Sequence, residues 1–263
     1  MGILNVTPDS FADAAHLTDV AGAVDAALRM EADGADLIDV GGESTRPGSE
    51  PVPAGDELAR VLPVVRGLAA RLRIPVSVDT YKADVARAAL DAGAAIINDI
   101  SGLRYDAALA GVAAARGAAL VLMHTRGRSN KMYTEAIYDD LIGEIGAELN
   151  ESLAVAKGAG VRVEQIIVDP GIGFAKRPAH SYGVLARLAE LASLIDRPWL
   201  VGPSRKSFMR DAVGDRPPAE RDWGTAAAVT AAVLAGAHIV RVHAVAEMAQ
   251  VVRVAEEIRR AQG

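Results

Sequence analysis

Residues 75–102 read PVSVDTYKADVARAALDAGAAIINDISG. A short β-branched run, Val76–Val78, stops at Asp79, and an Ala-rich stretch of helical period covers 82–92. DAGAA then turns the chain, with glycine where a helix C-cap requires positive φ, and a second aliphatic run, Ala95–Ile97, stops at Asn98. Strand, helix and strand at this spacing form a crossover unit. Only parallel strands need such a unit, since a tight turn cannot set them side by side.

The unit recurs along the whole chain. Strands are predicted at Gly2–Val6, Leu37–Val40, Val76–Val78, Ala95–Ile97, Ala119–Met123, Ile166–Val168, Trp199–Val201 and Ile239–Val242. Helices are predicted near 19–33, 55–72, 82–92, 106–116, 138–159, 179–194, 222–235 and 245–261. No linker, low-complexity tract or shift in composition divides them. Eight βα units predict one α/β domain over 1–263, a (βα)8 TIM barrel, in preference to an open doubly wound sheet. The length of 263 residues suits that fold, and 51% hydrophobic residues supply its core. Only 4% of the chain is aromatic, so Ala, Val, Leu and Ile must fill that core.

Composition also excludes functions. With no Cys there can be no disulfide, thiolate nucleophile or Cys-ligated zinc. A net charge of −6 disfavours general binding of nucleic acid or anionic membrane. No apolar run approaches the ~20 residues needed to span a bilayer, and the N-terminus lacks the pattern of a signal peptide. The expectation is a cytoplasmic protein.

The residues that follow the strands carry the functional signal. Strand 1 ends at Asn5, with Asp9 nearby; strands 2, 3 and 4 lead to Asp39, Asp79 and Asn98; strands 5 and 6 to His124 and Asp169. Ser204 and Lys206 follow strand 7, while strand 8 contains Arg241 and leads to His243. A single such residue caps a helix or satisfies a turn as a matter of course. Eight of them on the C-terminal face of a barrel, where barrel enzymes carry their chemistry, point to an active site.

Within that set, GPSRKS (202–207) brings Ser204, Arg205 and Lys206 close to Arg241 and His243. The loops after strands 7 and 8 form the usual anion site of a barrel, so this group reads as a clamp for phosphate or pyrophosphate. Asp79, Asn98 and Asp169 suit a flat ligand with several N–H donors and ring acceptors; they could instead ligate a divalent metal. NVTPDSFAD (5–13), DVGGESTRPG (39–48) and DPGIGFAK (169–176) are long polar loops of the kind that close over substrates, and Phe174 could stack on a ring. Met123 lines the pocket or the core. His124 reads equally well as functional or as a satisfied structural residue. Lys176 and Arg177 read as solvated loop charge.

At these residues the chain resembles the dihydropteroate synthase family. The likeness runs through MGILNVTPDSFAD, IDVGGESTRPG, SVDTYKADVARAALDAGAAIINDISG, LMHTRG, IIVDPGIGFAK, VGPSRKSF, GTAAAV and IVRVH, in family order across essentially the whole chain. It implies condensation of 6-hydroxymethyl-7,8-dihydropterin pyrophosphate with 4-aminobenzoate, with Mg2+ and release of pyrophosphate. By resemblance Asn5 helps hold the Mg2+–pyrophosphate; Asp79, Asn98, Asp169 and Lys206 hold the pterin; Arg241 and His243 bind pyrophosphate. Thr45, Arg46, Pro47, Phe174 and Ser207 would surround the aminobenzoate. Asp79, Asp169 and Lys206 would carry the catalytic load, sulfonamides would be inhibitors, and the chain would form a homodimer. Ala14–Ala15 and Ala244 depart from the family's usual residues. Rival readings are a methyltetrahydrofolate:corrinoid methyltransferase, a Schiff-base aldolase using Lys206 or Lys82, and a non-catalytic pterin-binding barrel.

Overall fold

The computed structural model describes residues 1–7, 19–45, 48–128 and 132–261. Six strands pair in chain order as one parallel sheet: β1 (Gly2–Asn5), β2 (Ile38–Gly41), β3 (Val76–Asp79), β4 (Ile96–Asp99), β5 (Ala119–Met123) and β6 (Ile166–Asp169). β7 (Leu200–Val201) and β8 (Ile239–Val240) pair in parallel beside them. Bridges Val168↔Trp199 and Gly2↔Val242 join the two groups at both edges. There the Ile3 N–H donates to the Val242 carbonyl at 2.9 Å, and the Val242 N–H to that of Met1 at 2.9 Å. The ring is closed, and the fold is a (βα)8 barrel.

Around it lie α1 (Val20–Ala32), α2 (Ala54–Ala69), α3 (Ala83–Asp91), α4 (Leu109–Arg116), α5 (Leu141–Gly158), α6 (Pro178–Ala186), α7 (Leu188–Leu194), α8 (Asp222–Leu234) and α9 (Val245–Ala261). Asp19 and Asp140 cap α1 and α5, accepting the N–H groups of Gly22 at 2.8 Å and Gly143 at 3.2 Å. The helix expected over 179–194 is two. Arg187 leaves helical geometry at φ −113°, ψ 21°, and its guanidinium is tied to Glu190 one turn on. No helix among the described residues is long and apolar enough to cross a membrane.

Period-two alternation along each strand builds two different surfaces. Leu4, Ile38, Val40, Val78, Ile97, Leu120, Leu122 and Val168 face outward and are buried beneath the helices in the main core. At roughly 1.5–3 kcal/mol for each fully buried large aliphatic chain, this layer dominates the stability of the fold. The other parity points into the barrel. Its lower layer is apolar, with Met1, Ile96, Val121 and Leu200 packed against Leu37, Ala119, Ile167 and Ile239. Its upper layer is polar.

β2, β3, β4 and β6 run one or two residues further than their apolar runs suggested, whereas β1, β7 and β8 are shorter than predicted. Asp79 and Asp169 are the last residues of β3 and β6, Asn98 lies inside β4, and Asp39 sits in the second position of β2. These side chains are therefore fixed by strand register and not by loop conformation.

Candidate active site

Register sets the floor of the upper layer. Asn5, Gly41, Asp79 and Asn98 are successive partners across β1–β4, and Met123 partners Asp169 across β5 and β6. One rung lower, Asp39 is fully buried between Ile3 and Ser77. Arg241, arriving from beyond β8, reaches over this floor. Its Nε donates to Asp39 Oδ2 at 2.6 Å and its Nη2 to Asp79 Oδ2 at 3.0 Å. Asp39 Oδ2 also accepts from Asn98 Nδ2 at 2.9 Å, while Asp39 Oδ1 is buried without a hydrogen-bond partner among the described residues.

Burial and charge in this small volume perturb Asp79, Asp169, Lys206 and Arg241. Burial pushes the Asp79 carboxyl up to about 7; Arg241 pulls it back down, and Asp39 adds to the rise. Burial also raises Asp169, against the pull of Lys206 and the Gly171 N–H, which donates to Asp169 Oδ1 at 2.7 Å. Burial brings the Lys206 ammonium down to about 8, with Asp169 working the other way. Burial disfavours the Arg241 cation, but Asp39 and Asp79 outweigh that and raise it.

Lys206 crosses the barrel mouth, donating from Nζ to the Ile172 carbonyl at 2.5 Å and lying 4.5 Å over the centre of the Phe174 ring. His243 donates its backbone N–H to Ser204 Oγ at 3.1 Å, and that oxygen stands 2.9 Å from His243 Nδ1. Met123 is buried with Tyr81 and Ile100 beneath Phe174. Ser207 is exposed, 3.4 Å from the Tyr133 hydroxyl, on the wall of a cavity of about 550 Å3 that includes Arg177 and Arg210. Thr45 is half-buried in the loop after β2. Arg46 and Pro47 lie outside the described residues, as do Asp9, Phe11 and Ala14–Ala15.

The barrel therefore unites Asn5, Asp79, Asn98, Met123, Asp169, Phe174, Ser204, Lys206, Arg241 and His243 on one face. Arg205 does not join them. Its backbone is left-handed at φ 58°, and its guanidinium grips both oxygens of Asp222, at 2.8 and 2.7 Å, at the start of α8. The clamp after β7 holds one cation, not two. Nor is Lys82 a Schiff-base candidate. It bonds Glu57 and, at 2.5 Å, Glu43; burial opposes its charge, but these two carboxylates outweigh burial and keep it protonated.

Two features go beyond the sequence reading. Asp39, named there only as the residue to which strand 2 leads, is the buried partner of Arg241, and its shared parity with the inward residues was the signal for it. Lys176 gave none: it reads as loop charge yet is 1% exposed, with Nζ 2.8 Å from His124 Nδ1 and 3.1 Å from the Phe174 carbonyl.

The pterin-binding enzyme family matches residues 1–243. The chain belongs to that family. It is 46% identical over 260 residues to the dihydropteroate synthase of Synechocystis sp., covering 99% of this chain and 90% of that one. The structure of the Yersinia pestis dihydropteroate synthase in a sulfonamide drug complex superposes with a TM-score of 0.93 at 42% identity, covering 99% of this chain and 94% of that one. That of the Xanthomonas albilineans dihydropteroate synthase with 4-aminobenzoic acid superposes with a TM-score of 0.91 at 40% identity, covering 98% and 92%.

Proposed function

We propose that this chain condenses 6-hydroxymethyl-7,8-dihydropterin pyrophosphate with 4-aminobenzoate, releasing pyrophosphate and giving 7,8-dihydropteroate for folate biosynthesis. The observation that carries this reading is the row of Asn5, Asp79 and Asn98 facing Asp169, with two cations, Lys206 and Arg241, across the top. A carboxylate-and-amide floor recognises the donors and acceptors of a pterin ring, and unmatched analogues would leave buried polar groups unpaired. Lys206, Arg241, Ser204 and His243 form the anion side. Arg241 spends two donors on Asp39 and Asp79 and keeps Nη1 for a phosphate oxygen.

Reaction begins with departure of pyrophosphate, which leaves positive charge spread over the pterin. Asp79 and Asp169 face that charge and stabilise it, while Lys206 and Arg241 hold the leaving group. The arylamine nitrogen then bonds to the methylene carbon that pyrophosphate left and releases one proton to solvent, held beside Phe174, Thr45 and Ser207, with Arg46 and Pro47 next to Thr45 in sequence. No covalent bond to the protein is needed.

The residues present fit Mg2+. Gly41 leaves a gap between Asn5 and Asp79: a Cβ there would stand 3.4 Å from Asn5 Oδ1 and 3.8 Å from Asp79 Oδ2. Among the described residues no group of three His, Asp or Glu side chains could cage a metal. A single amide oxygen completed by water and substrate phosphate is how Mg2+ is commonly held. Bound there, Mg2+ would neutralise charge on the leaving pyrophosphate. By the family likeness the enzyme acts in the cytoplasm as a homodimer.

The test is pyrophosphate release from both substrates, with and without Mg2+. Release should require the pterin, the aminobenzoate and Mg2+ together. Pterin binding without release would make the chain a non-catalytic binder, and methyl transfer from methyltetrahydrofolate to a corrinoid would assign it to the rival enzyme class.

A further inference from the structure

The loop after β6, residues 169–176, is held from two sides by two lysines. Lys206 reaches the Ile172 carbonyl from the ligand side, and Lys176 reaches the Phe174 carbonyl from beneath. Between them the Phe174 N–H closes a turn onto the Gly171 carbonyl at 3.0 Å, and Tyr138 donates its hydroxyl to the Ala175 carbonyl at 2.9 Å. Ala175 is left-handed, at φ 47°, a conformation that costs energy for a residue with a Cβ and persists only where its surroundings enforce it.

The geometry of the charges behind the loop fixes which way each proton points. Glu148 receives Arg104 at 2.9 Å and Arg126 at 2.8 Å, and lies 3.2 Å from His124 Nε2. Burial works against its charge, but the neighbouring His124 ring and the hydrogen bonds from Arg126 and Arg104 hold it well below the usual carboxylate range. The imidazole is neutral, since burial and then Lys176 push it down to about 3. With an ionised carboxylate at Nε2, the single ring proton sits there, and Nδ1 accepts from Lys176. Lys176 thus has two uncharged partners, and its Nζ lies 6.0 Å from the centre of the Tyr138 ring. Burial pushes the Lys176 amine down to about 7, with Asp169 working the other way, and no ion pair among the described residues repays the cost.

We propose that Lys176 is a positioning residue for the aminobenzoate side of the site: by fixing the Phe174 carbonyl against His124, it sets the Phe174 ring beneath Lys206. This rests on the synthase reading above. Asp169 is anchored separately, by the Gly171 N–H and by its own carbonyl, which accepts the His124 N–H at 2.9 Å, so its position does not rest on Lys176, although the Lys176 charge helps to lower its carboxyl.

The experiment compares wild type with Lys176→Met, an apolar chain of like length. Trading a buried amine for a thioether leaves the melting temperature at or above that of wild type. The KM for 4-aminobenzoate should nevertheless rise at least fivefold, while the dissociation constant for dihydropterin pyrophosphate stays within twofold. A folded variant whose aminobenzoate KM is unchanged overturns the proposal, and so does equal loss of both ligands, which would mean that the whole loop had moved. Should Lys176→Met fail to fold, His124→Leu removes the Nδ1 acceptor together with the Nε2–H facing Glu148, and the same KM should rise at least twofold; an unchanged value overturns the idea. If wild type itself releases no pyrophosphate, the reaction assignment fails. Normal wild-type turnover with an indifferent Lys176→Met defeats this inference alone.

Discussion

Replacing Arg241 with Met tests the electrostatic centre of the site. The guanidinium is 18% exposed and lies between Asp39, which is fully buried, and Asp79, at 11% exposure. Removing it leaves two buried carboxylates facing each other without a counter-charge. Breaking a buried pair in this way costs about 3–5 kcal/mol. For a chain of this size that lowers Tm by roughly 6–20 °C. The penalty should also depend on pH, with a definite sign. Burial already pushes the Asp79 carboxyl up to about 7, above its unfolded value. A carboxyl raised on folding binds more protons in the folded state, so its contribution to stability is fully present at low pH and lost as pH rises. In wild type that loss runs from about pH 4 to about pH 7. Without Arg241, the largest influence lowering Asp79, the carboxyl titrates higher still and the loss continues past neutrality. Thermal melts of both proteins at pH 5.5, 6.5, 7.5 and 8.5 read this directly. The gap in Tm should be widest at pH 8.5 and narrow steadily towards pH 5.5. A gap that is constant with pH, or that widens in acid, would refute the assignment of Arg241 as the cation holding Asp39 and Asp79.

Lys206→Ala removes the cation over Phe174 and should lower kcat/KM at least about tenfold in steady-state assays of pyrophosphate release. Asp169→Asn keeps the oxygen that accepts the Gly171 N–H but adds donors towards the ligand, so pterin affinity measured by calorimetry should collapse while Tm stays near wild type. Gly171→Ala puts a Cβ 1.9 Å from the His124 carbonyl at φ 70°, and denaturant unfolding should show a loss of about 2–5 kcal/mol. A sulfonamide should inhibit competitively against 4-aminobenzoate once dihydropterin pyrophosphate is bound; inhibition that excess aminobenzoate cannot relieve would place the drug elsewhere.

The barrel was legible because eight crossover units repeat one hydrophobic rhythm, and strand identity survives small errors at its ends. Asp39 already lay inside the predicted strand Leu37–Val40 but was grouped with the eight polar residues at strand ends; in the structure it is a buried member of the inward row, beneath Arg241. Alternation alone was enough to place it, since Ile38 and Val40 on either side belong to the outer core. Asp79 and Asp169 share that parity, each following a valine that faces outward.

The cationic residues could not be sorted in this way, because their directions are set by loop dihedrals and by partners distant in sequence. SRKS reads as two neighbouring cations aimed at one anion. A single left-handed residue at Arg205 sends that side chain to Asp222, seventeen positions on, and returns Lys206 to the barrel mouth. Lys176 and Arg177 show the opposite error. They read as a pair of exposed charges, yet Lys176 turns under its own loop to His124, fifty-two positions back, while Arg177 borders an open cavity. In each pair, one member builds the protein's frame and the other is free to face solvent or ligand, and local charge density is the same for both. What separates them is a distant acceptor: a carboxylate at the first turn of α8 in one case, a neutral imidazole at the end of β5 in the other. Substituting Asp222 should therefore release Arg205 without disturbing Lys206, since the two cations share a motif but no partner.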